Sequence, residues 1–274
     1  MKKLTRLITI LVFVFLYVPM IVLAVASFND GMDIAVFKGF TLDQYRELFR
    51  DEDLLALLGN SAIIAVLSTL IATVLGTMAA LGIHNMKGRL RSAVMTLTNI
   101  PMTNPEIVTG VSLALLFAFV GVALRIKSVL GFWTLLIAHV TFGLPYVILN
   151  VMPKLSQMDP DLTEAALDLG CTPIQAFFKV VLHEIMPGVI SGALMAFTMS
   201  LDDFVISYFV TGSGFVTLPV EIYSYTKKPI QPKVYALFTL MFLAMLLLMV
   251  AMNLMQARDK NRRQRSTLNR RGAR

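Results

Sequence analysis

DPDLTEAALDLGCTPIQAFFKVVLHEIMP, residues 159–187, reads as two short helices in tandem. Asp159 is placed to cap the first, Pro160 takes its first position, and Gly170 is placed to stop it. Thr172 caps the second, with Pro173 at its first position and Gln175 closing a capping box. Pro187 is expected to limit how far that second helix runs. The first helix is about 15 Å long, roughly half a bilayer core, and carries Asp161, Glu164 and Asp168. It is therefore an amphipathic element lying outside the hydrocarbon. Long apolar segments flank the pair on both sides, so the pair is either a structural loop or a docking surface for a soluble partner.

Those flanking segments set the class. Apolar side chains make up 57% of the 274 residues and charged ones 15%, with a mean hydropathy of +0.73, which excludes an ordinary soluble domain. The apolar residues fall in blocks of about twenty, the length that crosses a bilayer. Six spans are predicted, at about 7–28, 60–83, 92–124, 131–152, 188–210 and 234–255. Ala24-Val25-Ala26 imitates a signal-peptidase site, but the apolar block before it is too long for a cleavable signal, so an uncleaved first helix is expected. Span three is too long for one straight crossing and is interrupted by Pro101 and Pro105, becoming regular from Ile107. Between spans one and two, TLDQYRELF (41–49) has the pattern of a short interfacial helix.

The net charge of +7 does not point to nucleic acid. Eight of the 24 Lys and Arg residues lie in 258–274, directly after the last apolar block, without an aromatic platform. This is the cytoplasmic flank of a membrane span, with attraction to anionic lipid headgroups. With both termini inside, inner segments hold sixteen basic residues and outer segments eight, Arg125 and Lys127 among the latter. The bias orients the chain with the 159–187 pair inside. The resulting organisation is an all-α polytopic membrane domain at 1–257, containing a cytoplasmic loop at 153–187, and a basic cytoplasmic tail at 258–274.

No enzyme constellation is present. The chain has no phosphate-binding GxxxxGK[ST], so it cannot itself be an ATPase. His84, His139 and His183 lie on separate segments without metal-ligand spacing. His139 reads as a packed residue or a hydrogen bond within the bundle, ahead of a pathway group. Cys171, the single cysteine, reads as a structural thiol without a nucleophilic partner. The sharpest polar feature is Asp202-Asp203 inside span five. Two adjacent carboxylates in an apolar helix are costly, so they must meet water, a cation or a basic partner. Residues adjacent in a helix point about 100° apart, which would set one toward a conduit and the other into packing. Glu106 beside the break in span three faces the same requirement, or caps the helix that follows. Tyr208 is placed to line the path of Asp202 or to pack in the core.

At this point the residues carry a resemblance. Glu164-Ala165-Ala166, three residues, then Gly170 resembles the EAA loop of permease subunits in bacterial ABC importers. That pattern continues as Ile-x-Leu-Pro, where this chain has Val180-Val181-Leu182-His183, so His183 departs from the family's proline. The chain resembles PotC-like permeases of spermidine and putrescine importers, through YVPM (17–20), SFN (27–29), LTEAALDLG (162–170) and TMSLDDFVISYFVTG (198–212). The resemblance implies the type I importer permease fold in a bacterial cytoplasmic membrane. It implies a non-catalytic channel subunit that works with a second, homologous permease, two cytoplasmic ATPases carrying ATP and magnesium, and an extracytoplasmic polyamine-binding protein. Glu164, Ala165, Ala166, Asp168 and Gly170 would then dock the ATPase, and Glu106, Asp202, Asp203 and Tyr208 are the candidate cation pathway. Permeases for amino acids, phosphate, sulfate or iron share the fold and the loop. A self-contained secondary transporter or channel is the rival class, though it would not need such a loop.

Overall fold

The computed structural model describes residues 2–31, 36–126, 129–212, 214–227 and 231–272. Every long element among them is a helix, and six are long and apolar enough to cross a membrane. The protein is a polytopic, all-α membrane protein. Lys127, Lys228 and Arg274, counted above as flanking charges, lie outside the described residues.

In chain order the helices are α1 (Lys2–Ala26), α2 (Asp43–Leu48), α3 (Glu52–His84), α4 (Gly88–Thr103), α5 (Glu106–Leu124) and α6 (Phe132–Gln157). There follow α7 (Asp161–Asp168), α8 (Pro173–Ala176), α9 (Leu182–Leu201), α10 (Val205–Val210), α11 (Leu218–Thr226) and α12 (Pro232–Gly272). They form two compact units, one of Met1–Leu58 with Glu221–Met249 and one of Gly59–Val220 with Val250–Arg274.

In the first unit, α1 exposes nearly all its apolar side chains, the surface expected of a helix in hydrocarbon. After it, Asn29 ties down a short return. Its amide donates to the Val36 carbonyl at 2.9 Å, and its oxygen accepts from the Lys38 N–H at 2.9 Å. Phe28 stacks on Phe40 at 5.3 Å, and Tyr45 of α2 closes on Phe28 while its hydroxyl meets Ser27 Oγ at 2.7 Å. The short helix expected within 41–49 is α2. Asp51 caps α3 through the Leu54 N–H at 3.0 Å, so this helix starts eight residues ahead of the expected Asn60. Lys233, at the start of α12, donates to Asp51 at 2.8 Å and lies 3.7 Å from Glu47. The Lys233 bond holds the Asp51 carboxyl below its ordinary value, against the opposing pull of burial.

In the second unit α6 is the most enclosed span. Two apolar clusters pack around it. One joins Ala72 and Ala80 of α3 to Val147, Val151 and Leu155 of α6 and Ile185 and Ala196 of α9. The other joins Ile64 and Phe117 to Leu135, Phe142, Ile206 and Val210. Glycines allow the close approaches: a Cβ on Gly76 would lie 2.7 Å from Val147 Cβ, and one on Gly192 would lie 2.9 Å from Val147 Cα.

Three expectations about the spans are corrected. Pro187 does not end the second short helix. From Pro173 the chain runs through α8, a π turn at Phe177–Val181 and α9 without leaving helical geometry, a 29-residue span to Leu201. Proline forfeits one i→i−4 bond, which a helix held by packing on both sides tolerates. Span five, expected as one helix over 188–210, instead stops at Leu201 and resumes as α10. Span three breaks at one of its two prolines only. Pro101 sits inside α4, whereas Pro105 holds Asn104 extended, at ψ 140°, between α4 and α5.

Candidate functional site

The site is built at the interruption of span five. Asp203 sits in it with its side chain turned back onto α10, a position that suits aspartate better than a helix interior. Its Oδ1 accepts from the Ile206 N–H at 3.2 Å, and its Oδ2 accepts from the Ser207 N–H at 2.7 Å and the Ser207 hydroxyl at 2.8 Å. These bonds satisfy amides that open the new helix. The sequence reading set both carboxylates inside one continuous helix. The side chain of Asp203 offered the backbone another set of partners, and the helix ends where they are used.

His139 of α6 faces this turn, and its side chain is only 2% exposed. Its Nδ1 meets Ser200 Oγ at 2.6 Å, its Nε2 meets Ser207 Oγ at 3.0 Å, and Asp203 Oδ2 lies 3.4 Å from Nε2. Ser200 Oγ also meets Ser68 Oγ of α3 at 3.0 Å. Four segments, from α3, α6, α9 and α10, therefore share one buried polar network. The reading of His139 as a hydrogen-bonding residue of the bundle matches this position. Ser68, Ser200 and Ser207 were missed, because serines on three helices carry no sign in the sequence that they meet.

Asp202 has the opposite environment. It is exposed at the C-terminal end of α9, although it is next in sequence to a residue that is 8% exposed. Glu106, exposed at the first turn of α5, lies within Coulombic range of both Asp202 and Tyr146. Gly110, one turn into α5, brings that helix onto α10, since a Cβ there would lie 3.0 Å from the Phe209 ring and 3.4 Å from Ile206 Cα. Glu106 and Asp202 are thus two exposed carboxylates on the surface of an apolar body, with the half-buried, neutral Tyr146 in the same region, and Tyr146 was not anticipated. Tyr208 is 47% exposed on α10, its ring 5.5 Å from those of Phe204 and Phe209. The expected four-residue pathway divides, with Asp203 in the buried network. Among the described residues no group of three His, Cys, Asp or Glu side chains is placed to hold a metal ion.

The loop of residues 159–172 forms as its caps dictate. Asp159 Oδ1 accepts from the Asp161 N–H at 3.2 Å, and α7 ends in a Schellman turn. There the Cys171 N–H donates to the Ala166 carbonyl at 3.1 Å and the Gly170 N–H to Leu167 at 2.9 Å, with Gly170 at φ +84°. A Cβ on Gly170 would meet nothing within 4 Å in this chain, so left-handed backbone explains the glycine here. Thr172 and Gln175 form the expected capping box, at 3.1 and 3.3 Å. Ala166 is buried, while Glu164, Ala165 and Asp168 are exposed on α7.

The profile of the family described as "Binding-protein-dependent transport system inner membrane component" matches residues 72–263. This chain belongs to that family. The permease is 38% identical over 250 residues to the spermidine/putrescine transport system permease protein PotC of Haemophilus influenzae, covering 91% of this chain and 95% of that one. It is 40% identical over 235 residues to the putrescine transport system permease protein PotI of Escherichia coli K12, covering 85% and 83%. Among solved structures, a chain of a bacterial ABC transporter involved in import of the acidic polysaccharide alginate matches with a TM-score of 0.70. The identity is 16%, over 93% of the permease and 95% of that chain. The MetNI methionine ABC transporter matches with a TM-score of 0.56 at 18% identity, over 77% and 96%. The structural likenesses bear on fold alone. The permease shares the architecture of ABC importer membrane subunits.

Proposed function

We propose that this permease forms, with a second related permease, the channel of an ATP-driven importer for the small polycations spermidine and putrescine. The observation that carries the reading is the kinship to permeases named for those substrates, at 38% and 40% identity over most of both chains. The exposed carboxylates of Glu106 and Asp202 agree with it, because they replace part of the water around ammonium groups in a passage of low dielectric. Weak successive contacts suit passage better than a single tight cage. In this reading both termini and α7 face the cytoplasm. Two ATPase subunits supply ATP and magnesium chemistry, and an extracytoplasmic binding protein delivers the cation. Glu164, Ala165 and Asp168 present a narrow acidic face to the ATPase, Ala166, expected to share that face, packs inward against this chain instead, and Gly170 sets the turn behind it.

The test is uptake of radiolabelled polyamine by the complete importer reconstituted in vesicles. Asp202→Asn and Glu106→Gln are each expected to lower flux roughly tenfold at matched assembly, the scale of one lost charged contact. Gly170→Asp is expected to abolish stimulation of ATP hydrolysis by loaded binding protein while leaving span insertion intact. Unchanged flux in Asp202→Asn, Glu106→Gln and their combination would refute the acidic path. Brisk transport of methionine, phosphate or an anionic sugar with no polyamine uptake would overturn the substrate.

A further inference from the structure

The buried network and the exposed carboxylates meet at the Asp202–Asp203 link, where one aspartate is buried and the next is exposed. α9 packs along α6, and α10 lies against α5. His139 reaches both sides of the interruption, because Ser200 belongs to the last turn of α9 and Ser207 to the first turn of α10. With the Ser207 hydroxyl proton given to Asp203, the Nε2–H donates to Ser207 Oγ, and Nδ1 pairs with the Ser200 hydroxyl. Asp203 lies 3.4 Å from Nε2 of the ring and makes three bonds of its own to α10. Asp202 and Asp203 lie in the non-helical link, where neighbouring side chains diverge. Holding Asp203 in the core consequently turns Asp202 outward, into range of Glu106.

We propose that His139 is a positioning residue for cation passage: by bonding one serine on each side of the helix interruption, it keeps the 202–204 link in the form that buries Asp203 and leaves Asp202 exposed. His139 touches no cargo in this account. It acts through Asp203 and the two serines, and a residue of equal volume without polar atoms would fill its space without holding the link. The inference rests on the acidic-path reading for its consequence in transport, but the geometry it claims is measurable without any cargo.

The experiment uses the whole importer in lipid nanodiscs, with Cys171→Ser and Asp202→Cys, so that position 202 carries the permease's only thiol. The readout is the rate at which a positively charged methanethiosulfonate reagent modifies it, with His139, His139→Phe or His139→Gln. His139→Phe is expected to slow modification roughly tenfold, and His139→Gln, whose amide restores hydrogen bonding, to recover it to within about threefold. Equal rates in all three backgrounds would overturn the proposal. A second arm restores Asp202 and measures flux. The double variant His139→Phe/Asp202→Asn is expected to be no worse than the poorer single variant, because both act at one carboxylate. Losses that multiply would show that His139 acts elsewhere and would overturn it. Should His139→Phe fail to assemble, Ser200→Ala and Ser207→Ala each remove one of the two bonds to the imidazole, and unchanged labelling in both overturns the proposal equally. Loss of the polyamine reading would leave the labelling arm intact, so the two failures are distinguishable.

Discussion

Asp203→Ala is expected to lower the thermal midpoint of the assembled permease by roughly 10 °C, whereas Asp202→Ala leaves it nearly unchanged. The adjacent aspartates differ in what their removal abandons. Without the Asp203 carboxylate, the Ile206 and Ser207 amides and the Ser207 hydroxyl lose their acceptor, and His139 Nε2 loses its acidic neighbour. All of these groups are enclosed by protein, so water cannot take over. Breaking such a buried pair typically costs about 3–5 kcal/mol, far more than the pair's net contribution when intact. Asp203→Asn falls between, since an amide keeps one acceptor but aims a donor at another donor. Asp202 is exposed and its loss leaves no buried group unpaired, so the expected damage is to flux alone. Fluorescence-detected size exclusion after a temperature series reads the difference directly, and equal shifts for Asp202→Ala and Asp203→Ala would remove the network from the account of stability.

Gly192→Leu is expected to prevent correct packing of α9 on α6. A Cβ at Gly192 would already stand 2.9 Å from Val147 Cα and 3.3 Å from the Val147 carbonyl oxygen, both backbone atoms that no rotamer change can move. One turn away a Cβ at Gly188 would stand 2.7 Å from the Asn150 carbonyl oxygen, so the tight seam runs for at least a turn. Overpacking costs about 1–3 kcal/mol for one or two extra methylenes in a core that can adjust. Here the contact is helix backbone against helix backbone, and in lipid there is little hydrophobic gain to offset a gap between the helices. The expected outcome is loss of the monodisperse peak for Gly192→Leu and a clear thermal loss even for Gly192→Ala. Gly82→Ala on α3 is the control. A Cβ there meets nothing within 4 Å, so the substitution is expected to be neutral or slightly stabilising. Comparable losses at the two glycines would show that the seam is looser than the geometry implies.

The reach of the sequence follows from the range of the interactions involved. Six apolar blocks, the Schellman turn at Gly170 and the Thr172–Gln175 box were legible, because each is decided within one block or by residues three to five positions apart. Pro105 was legible as a breaker for the same reason, since it restricts its own predecessor. Pro187 was misjudged, because whether a helix survives a proline depends on what packs around that helix, and here it is α6, whose Asn150, Val151 and Lys154 lie against the next residue, Gly188. The interruption after Leu201 was invisible for a related reason. Asp202 and Asp203 read alike along the chain, and what separates them is an imidazole 64 positions upstream of Asp203 that gives one of them a buried partner. A lone carboxylate is too costly to bury in an apolar span, while one with partners for its oxygens is not. The chain alone therefore determined that charge had to be accommodated in span five, and only the packing of α6 against α9 and α10 decided which aspartate entered the core and which remained outside.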